Sequence, residues 1–115
     1  MTIAELYTGT ETVTTTEWSL TTDTAGPDVD TTDGVIVLVL DVSAVAAADL
    51  YRVRGYEKCR SGDTQRVRYE AFIGGPQAAP IWESPGQILM HGWDFTLTKI
   101  SGTDRAINWS IRQVG

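Results

Sequence analysis

Alternation of apolar and polar residues with a period of two dominates the chain, and helical spacing is scarce. The segment GVIVLVLD at 34–41 is apolar on both faces, which is typical of a central strand buried on both sides. Segments 50–58 and 65–74 are each apolar on one face and flank a Ser-Gly turn, so they predict a hairpin. Gly55 is expected to mark a β-bulge. The inward face of the second strand is expected to hold Val67, Tyr69, Ala71 and Ile73.

The segment WDFTLTKISGTDRAINWSI predicts a second hairpin, with its turn at residues 101–103. In that register three apolar pairs lie opposite one another: Leu97 with Ile107, Phe95 with Trp109, and Trp93 with Ile111. The aromatic members of these pairs are therefore expected in the core. The alanine-rich stretch 42–49 is the one helical candidate, and we expect it to be a short connector.

Short apolar stretches near 81–82 and 88–91 and threonine-rich stretches at the N-terminus complete the predicted strands. About eight strands at this spacing predict an all-β chain, folded as an antiparallel β-sandwich or jelly roll. A length of 115 residues fits a single domain. Within it, residues 1–33 are interpreted as a threonine-rich acidic N-terminal arm with edge strands, and residues 34–115 as the β-sandwich core.

Charge is distributed unevenly along the chain. Residues 1–51 carry nine acids and no Lys or Arg, whereas residues 52–115 carry nine bases and six acids, for a net charge of −6. Four arginines of the first predicted hairpin are expected on one shared face, where a single acid, Glu70, relieves their repulsion: Arg52, Arg54, Arg66 and Arg68. A row of like charges indicates a negatively charged partner.

Two partners suit such an arginine ribbon. One is RNA or DNA, with Tyr56 and Phe72 stacking on bases. The other is a protein surface rich in carboxylates, which arginine binds through bidentate contacts. The overall acidity of the chain repels phosphates at long range, so we predict a protein partner and no nucleic acid.

The sequence offers no catalytic or metal-binding arrangement. His91 and Cys59 are the only histidine and cysteine, and no motif brings them together, so we predict neither an enzyme nor a cofactor. An acidic loop holds four aspartates without EF-hand spacing: Asp23, Asp28, Asp30 and Asp33. This predicts a solvated loop and no metal site. No signal peptide or membrane span is expected, so we predict synthesis in a cytoplasm and no membrane partner.

Tryptophan supplies the remaining candidate contacts. Trp18 and Trp82 lie outside the pattern that buries the other two tryptophans, and either is a candidate surface anchor, because tryptophan is enriched at protein interfaces. Flat rings also stack on sugars. Trp18 and Trp82, together with Tyr7, therefore keep a carbohydrate-binding module open as an alternative.

Three stretches carry a family resemblance: residues 14–58, residues 66–98 and the C-terminal GTDRAINWSIRQV. With their motifs YEK, PIWESP, GWDFTL and WSIR, they resemble small virion proteins of tailed bacteriophages. This resemblance implies a small β-sandwich or jelly roll that acts as a capsid decoration (cement) protein, located on the capsid surface. It implies the major capsid protein as partner, with self-association into a dimer or trimer. The motifs leave a tail or head-tail surface role open.

Overall fold

The computed structural model describes residues 2–114, and within this range the chain forms strands and no helix. Four of its ten strands have only two or three residues, whereas the alternation pattern predicted about eight strands in all. The strands are β1 (Ile3–Val13), β2 (Trp18–Ser19), β3 (Thr24–Ala25), β4 (Gly34–Asp41), β5 (Leu50–Glu57), β6 (Arg66–Gly74), β7 (Ile81–Glu83), β8 (Gln87–Leu89), β9 (Trp93–Ser101) and β10 (Arg105–Val114).

The strands form two antiparallel sheets of five strands each. In sheet 1 the order is β1-β10-β4-β7, with β8 also paired to β4; in sheet 2 it is β3-β2-β9-β5-β6. The predicted all-β class and antiparallel sandwich arrangement are confirmed. The N-terminal segment contributes β1 to an edge of sheet 1 and β2 and β3 to an edge of sheet 2.

Side chains from both sheets fill one core. The inward residues of β4 are fully buried: Ile36, Leu38 and Leu40. Trp93 and Trp109 are buried, as predicted, and the indole of Trp109 donates to the carbonyl of Leu20 at 2.9 Å. The opposite face of β4 is only partly covered, since Val35 is 38% exposed. The prediction that β4 is buried on both faces is therefore wrong at this end of the strand.

The predicted β5–β6 hairpin is present, with Val53 opposite Ala71. Its register shifts between Gly55 and Tyr56, which confirms the predicted bulge. Because β6 has one extra residue at this point, the side chains of the residues on the turn side of the bulge lie on the opposite face of the sheet from the one that strict alternation gives them. Val67 therefore lies opposite Tyr56 and is 46% exposed, whereas strict alternation placed it inward.

The predicted C-terminal hairpin is wrong. β9 belongs to sheet 2 and β10 to sheet 1, so the two strands are not hydrogen-bonded neighbours. Their six apolar residues are nevertheless buried, because they line the inward faces of the two opposed sheets. Alternation identifies the buried face of each strand, but two faces that meet across a core show the same pattern as two strands side by side.

The turn between β9 and β10 is fastened to the connector between β4 and β5, which contains turns and no helix. Asp49 is 3% exposed and accepts hydrogen bonds from the backbone of Ala46 and of Thr103, both at 2.9 Å, and from Arg105 Nε at 2.8 Å. A single carboxylate thus joins the two segments that cross between the sheets.

This carboxylate should make folding stability depend on pH. Hydrogen bonds from the backbone of Thr103 and Ala46, followed by that from Arg105, lower the pKa of Asp49 from 3.8 to about 2. An acid whose pKa is lower in the folded state stabilises the fold above its unfolded pKa, and this contribution disappears as the pH falls through about 4 to about 2. Asp49→Asn should lower the urea midpoint at neutral pH. It should also make the midpoint fall less as the pH is lowered from about 4 to about 2. An unchanged decline would contradict this role.

Gln87 points into the core without hydrogen-bond partners. It is 7% exposed, and neither its Oε1 nor its Nε2 has a partner among residues 2–114. Its amide oxygen lies beside Gly55, whose missing side chain leaves room for it. A buried amide without partners destabilises the folded state by roughly 1–3 kcal/mol.

Replacing Gln87 with the similarly shaped Met should therefore raise the free energy of unfolding by about 1–2 kcal/mol. Gln65→Met is a matched control, because the Gln65 amide donates to the carbonyl of Asp28 at 3.0 Å and its loss should bring no gain. Urea denaturation measures both variants. A less stable Gln87→Met protein would show that the amide contributes a favourable interaction.

Candidate interaction surfaces

The predicted arginine ribbon does not form one face, because the bulge in β6 separates its members. Arg54 lies opposite Glu70 on the outer face of sheet 2, and its Nε is 2.7 Å from Glu70 Oε2. Arg68 instead reaches towards sheet 1: its Nη1 is 2.6 Å from Glu57 Oε1 and donates to the carbonyl of Ile88 at 2.6 Å. The expectation that Glu70 alone relieves the arginines is also wrong, since Glu57 pairs with Arg68.

The other two arginines form no ion pair within residues 2–114. Arg66 is exposed and lines an open hollow at the β5–β6 turn, beside Glu57 and Asp63. Arg52 is half-buried and lies between Phe72 on β6 and Thr98 on β9. Of the four arginines of the predicted ribbon, two are therefore paired with glutamates and two are left without an ion pair within residues 2–114.

Beside the arginines, the outer face of sheet 2 carries a covered polar network. The carboxylate of Glu17 accepts hydrogen bonds from the hydroxyl of Tyr56 and from Thr96 Oγ1, the latter at 2.6 Å. Burial, followed by the hydrogen bond to Glu17, raises the pKa of the Tyr56 hydroxyl. Thr96 is only 1% exposed although it lies on the outer face, opposite Arg54. This network holds β2 and its preceding loop against the sheet.

The acidic loop is occupied by internal hydrogen bonds. Asp28 accepts from the hydroxyls of Thr22 and Thr24 at 2.6 and 3.1 Å, and Asp30 accepts from the Tyr7 hydroxyl. Among residues 2–114, no group of three or more His, Cys, Asp or Glu side chains could hold a metal ion. Asp28 thus orders the loop through nearby threonines, and Asp30 joins the loop to Tyr7 on β1.

The two candidate tryptophan anchors are half-buried and pack against the core. Trp18 donates from its indole nitrogen to Asp23 Oδ1 at 2.9 Å, and Trp82 lies opposite the buried Leu40. Part of each indole is thus covered by the core of the sandwich. Tyr7, the third residue of the carbohydrate alternative, is half-buried with its hydroxyl engaged by Asp30.

An exposed apolar row crosses the outer face of sheet 1. Four side chains from four strands lie directly opposite one another along it, in the order Ile3, Val114, Val35 and Ile88. Ile3 is 64% exposed and Ile88 is 73% exposed. Val114 and the neighbouring Val37 are half-buried. The pattern along the chain did not reveal this row, because its members come from four segments far apart in sequence.

The only histidine and the only cysteine of the sequence lie on separate segments. Cys59 is exposed in the β5–β6 turn, and His91 is half-buried just before β9.

In comparisons with known proteins, no family model, no curated protein and no solved structure matches this chain. The described part of the chain contains no helix with the length and hydrophobicity needed to cross a membrane.

Proposed function

We propose that this chain is a non-enzymatic structural protein of a tailed bacteriophage that binds the outside of the capsid shell and stabilises it. The observation that carries the proposal is the apolar row on sheet 1. The resemblance of the sequence to small virion proteins supplies the partner, the major capsid protein, and the location, the capsid surface. The protein is synthesised in the host cytoplasm and acts without a cofactor, a nucleic acid or a membrane.

The apolar row suits repeated binding to a lattice. It spans four adjacent strands, or about 14 Å at the usual spacing between strands. Contiguous exposed apolar side chains of this kind mark surfaces that bind a protein partner. A row of four residues is a small interface, but many copies on one shell, or self-association into a dimer or trimer, multiply modest contacts into stable occupancy.

We further propose that the sandwich is a jelly roll, the finer fold that the resemblance implies. The support is strand order. β7 and β8 both pair with β4 and are counted here as one strand, and the two-residue edge strand β3 is left out of the count. The first, eighth, third and sixth strands then form sheet 1, and the second, seventh, fourth and fifth form sheet 2. A jelly roll of eight strands in two sheets has this order.

The test of the proposed function replaces the two most exposed members of the row. The Ile3→Ser/Ile88→Ser protein should bind empty shells at least about tenfold more weakly, because each isoleucine loses over 1 kcal/mol of apolar burial in the contact. Ile81→Ser is the matched control: Ile81 is 62% exposed on sheet 1 but lies outside the row, opposite Asp41.

Equal shell binding by the double variant and by the control would remove the row from the interface. Binding at the tail or at the head-tail junction, with empty shells left bare, would support the tail alternative and overturn decoration.

A further inference from the structure

Two adjacent polar atoms on the outer face of sheet 2 are shielded from water and lack partners. Arg52 and Thr98 are directly opposite in the β5–β9 ladder, so their side chains share one face. Arg52 Nε and Thr98 Oγ1 are both buried without a hydrogen-bond partner among residues 2–114. Thr98 is 6% exposed, which makes its unpaired hydroxyl unusual, because buried polar groups are nearly always hydrogen-bonded.

The third member of this cross-strand line is apolar. Phe72 lies opposite Arg52 on the side away from Thr98, and it is 55% exposed. The line therefore presents an aromatic ring, a guanidinium and a hydroxyl in sequence across three strands. The other arginine of this outer face, Arg54, is already paired with Glu70. Within residues 2–114, Arg52 is thus the arginine of this face that has no ion pair.

The geometry points to a site for a carboxylate side chain of a partner protein, formed by Arg52, Thr98 and Phe72. A guanidinium and a hydroxyl together can donate to one carboxylate, and the ring can cover the apolar part of the incoming segment. Arg52 is half-buried and has a long, flexible side chain, so we expect a change of rotamer to bring its Nε to an incoming ligand and to uncover the hydroxyl of its cross-strand neighbour. Binding then supplies the acceptor that both atoms lack in the free protein.

A carboxylate fits this site better than a phosphate polymer. The chain has a net charge of −6, which disfavours the approach of nucleic acid, whereas one carboxylate within an apolar segment brings little charge. This inference rests on the proposed function in one respect, namely that the partner is a protein. It adds a second contact on the sheet opposite the apolar row, so that one sandwich can bridge two neighbouring shell subunits.

A pair of matched peptides tests the site without any capsid. Acetyl-Leu-Glu-Leu-amide carries the carboxylate, and acetyl-Leu-Gln-Leu-amide has nearly the same shape without the charge. Each is titrated into the full chain while ¹H–¹⁵N NMR follows the Arg52 Nε–H and Thr98 amide signals. We expect saturable chemical-shift changes with the Glu peptide. The Gln peptide should have a dissociation constant roughly 10-fold to 100-fold higher, because it lacks the charge that strengthens the hydrogen bonds. Equal binding of the two peptides, or no shift at these signals, would overturn the inference.

Two variants separate binding from structure. Arg52→Gln should abolish the difference between the peptides, whereas the control Arg66→Gln, which removes an exposed arginine outside the site, should preserve it. Thr98→Val should leave the free energy of unfolding unchanged or raise it, because it removes an unpaired buried hydroxyl. The same variant should bind the Glu peptide roughly 3-fold to 10-fold more weakly. Unweakened binding by Thr98→Val would exclude the hydroxyl from the site.

Shell binding and peptide binding of the native chain, measured side by side, distinguish this inference from the proposed function. Shell binding by the native chain, with the peptide pair giving no difference, would retain decoration and discard the carboxylate site. A preference for the Glu peptide without any shell binding would retain the carboxylate site and discard decoration.

Discussion

Gly102→Ala is expected to destabilise the fold by about 4 kcal/mol, the largest effect of the substitutions considered. Gly102 has φ of +93°, a conformation that L side chains rarely adopt, in the turn where the chain passes from sheet 2 to sheet 1. An added Cβ would lie 2.6 Å from Asp49 Cα and 2.9 Å from the carbonyl oxygen of Ala48. Backbone strain and steric overlap therefore add, and they act on the carboxylate that fastens this crossing.

A matched control isolates the steric part of this effect. Gly62 has nearly the same φ, +88°, but an added Cβ there would meet nothing within 4 Å. Gly62→Ala should therefore lower the free energy of unfolding by only about 1 kcal/mol, because it adds backbone strain without a steric clash. Urea denaturation should shift the midpoint far more for Gly102→Ala, with a similar slope in both variants. Equal losses would show that the contact with the connector contributes little.

Gly9→Ala should lower the free energy of unfolding by about 3 kcal/mol, through overpacking. Gly9 lies on the edge strand β1 directly opposite Trp109, whose ring is buried in the core. An added Cβ would lie 2.8 Å from Trp109 Cε2, closer than carbon atoms approach. Either the indole leaves its place, losing its hydrogen bond to Leu20, or β1 moves away from β10.

The neighbouring Thr8→Ala serves as control for Gly9→Ala. Thr8 is exposed on the other face of β1. Its replacement should therefore lower the free energy of unfolding by less than about 1 kcal/mol, which is the range of strand propensities. Fluorescence of the tryptophans in the folded protein reports whether the indole has moved. A Gly9→Ala protein as stable as Thr8→Ala would mean that β1 tolerates displacement at low cost.

Local features of the sequence predicted the β5–β6 hairpin correctly. Its two strands are close in sequence, each has one apolar face, and Gly55 marks the bulge that the ladder contains. The C-terminal pair was misjudged because nothing in the alternation distinguishes strands that pair from strands that face each other. Trp93 and Trp109 were placed in the core correctly even though their strands belong to different sheets.

The candidate surfaces were less predictable, because they depend on register. The charge of the arginines was evident from the sequence, but the bulge that sends Arg68 to Glu57 was needed to show which arginines are neutralised. The apolar row depends on the pairing of Ile3 with Val114 and of Val35 with Ile88, which no local pattern connects. Likewise, the unpaired hydroxyl of Thr98 became visible only when its neighbours were known.

Co-sedimentation of the purified protein with empty capsid shells assembled without it tests the central claim most directly. The measurement is made at low and at high salt, with bound copies counted per capsomer. We expect saturable binding at a fixed copy number, weakened but not abolished by salt, because the apolar row is insensitive to screening while the arginines are not. Shells that remain bare at saturating protein would contradict it.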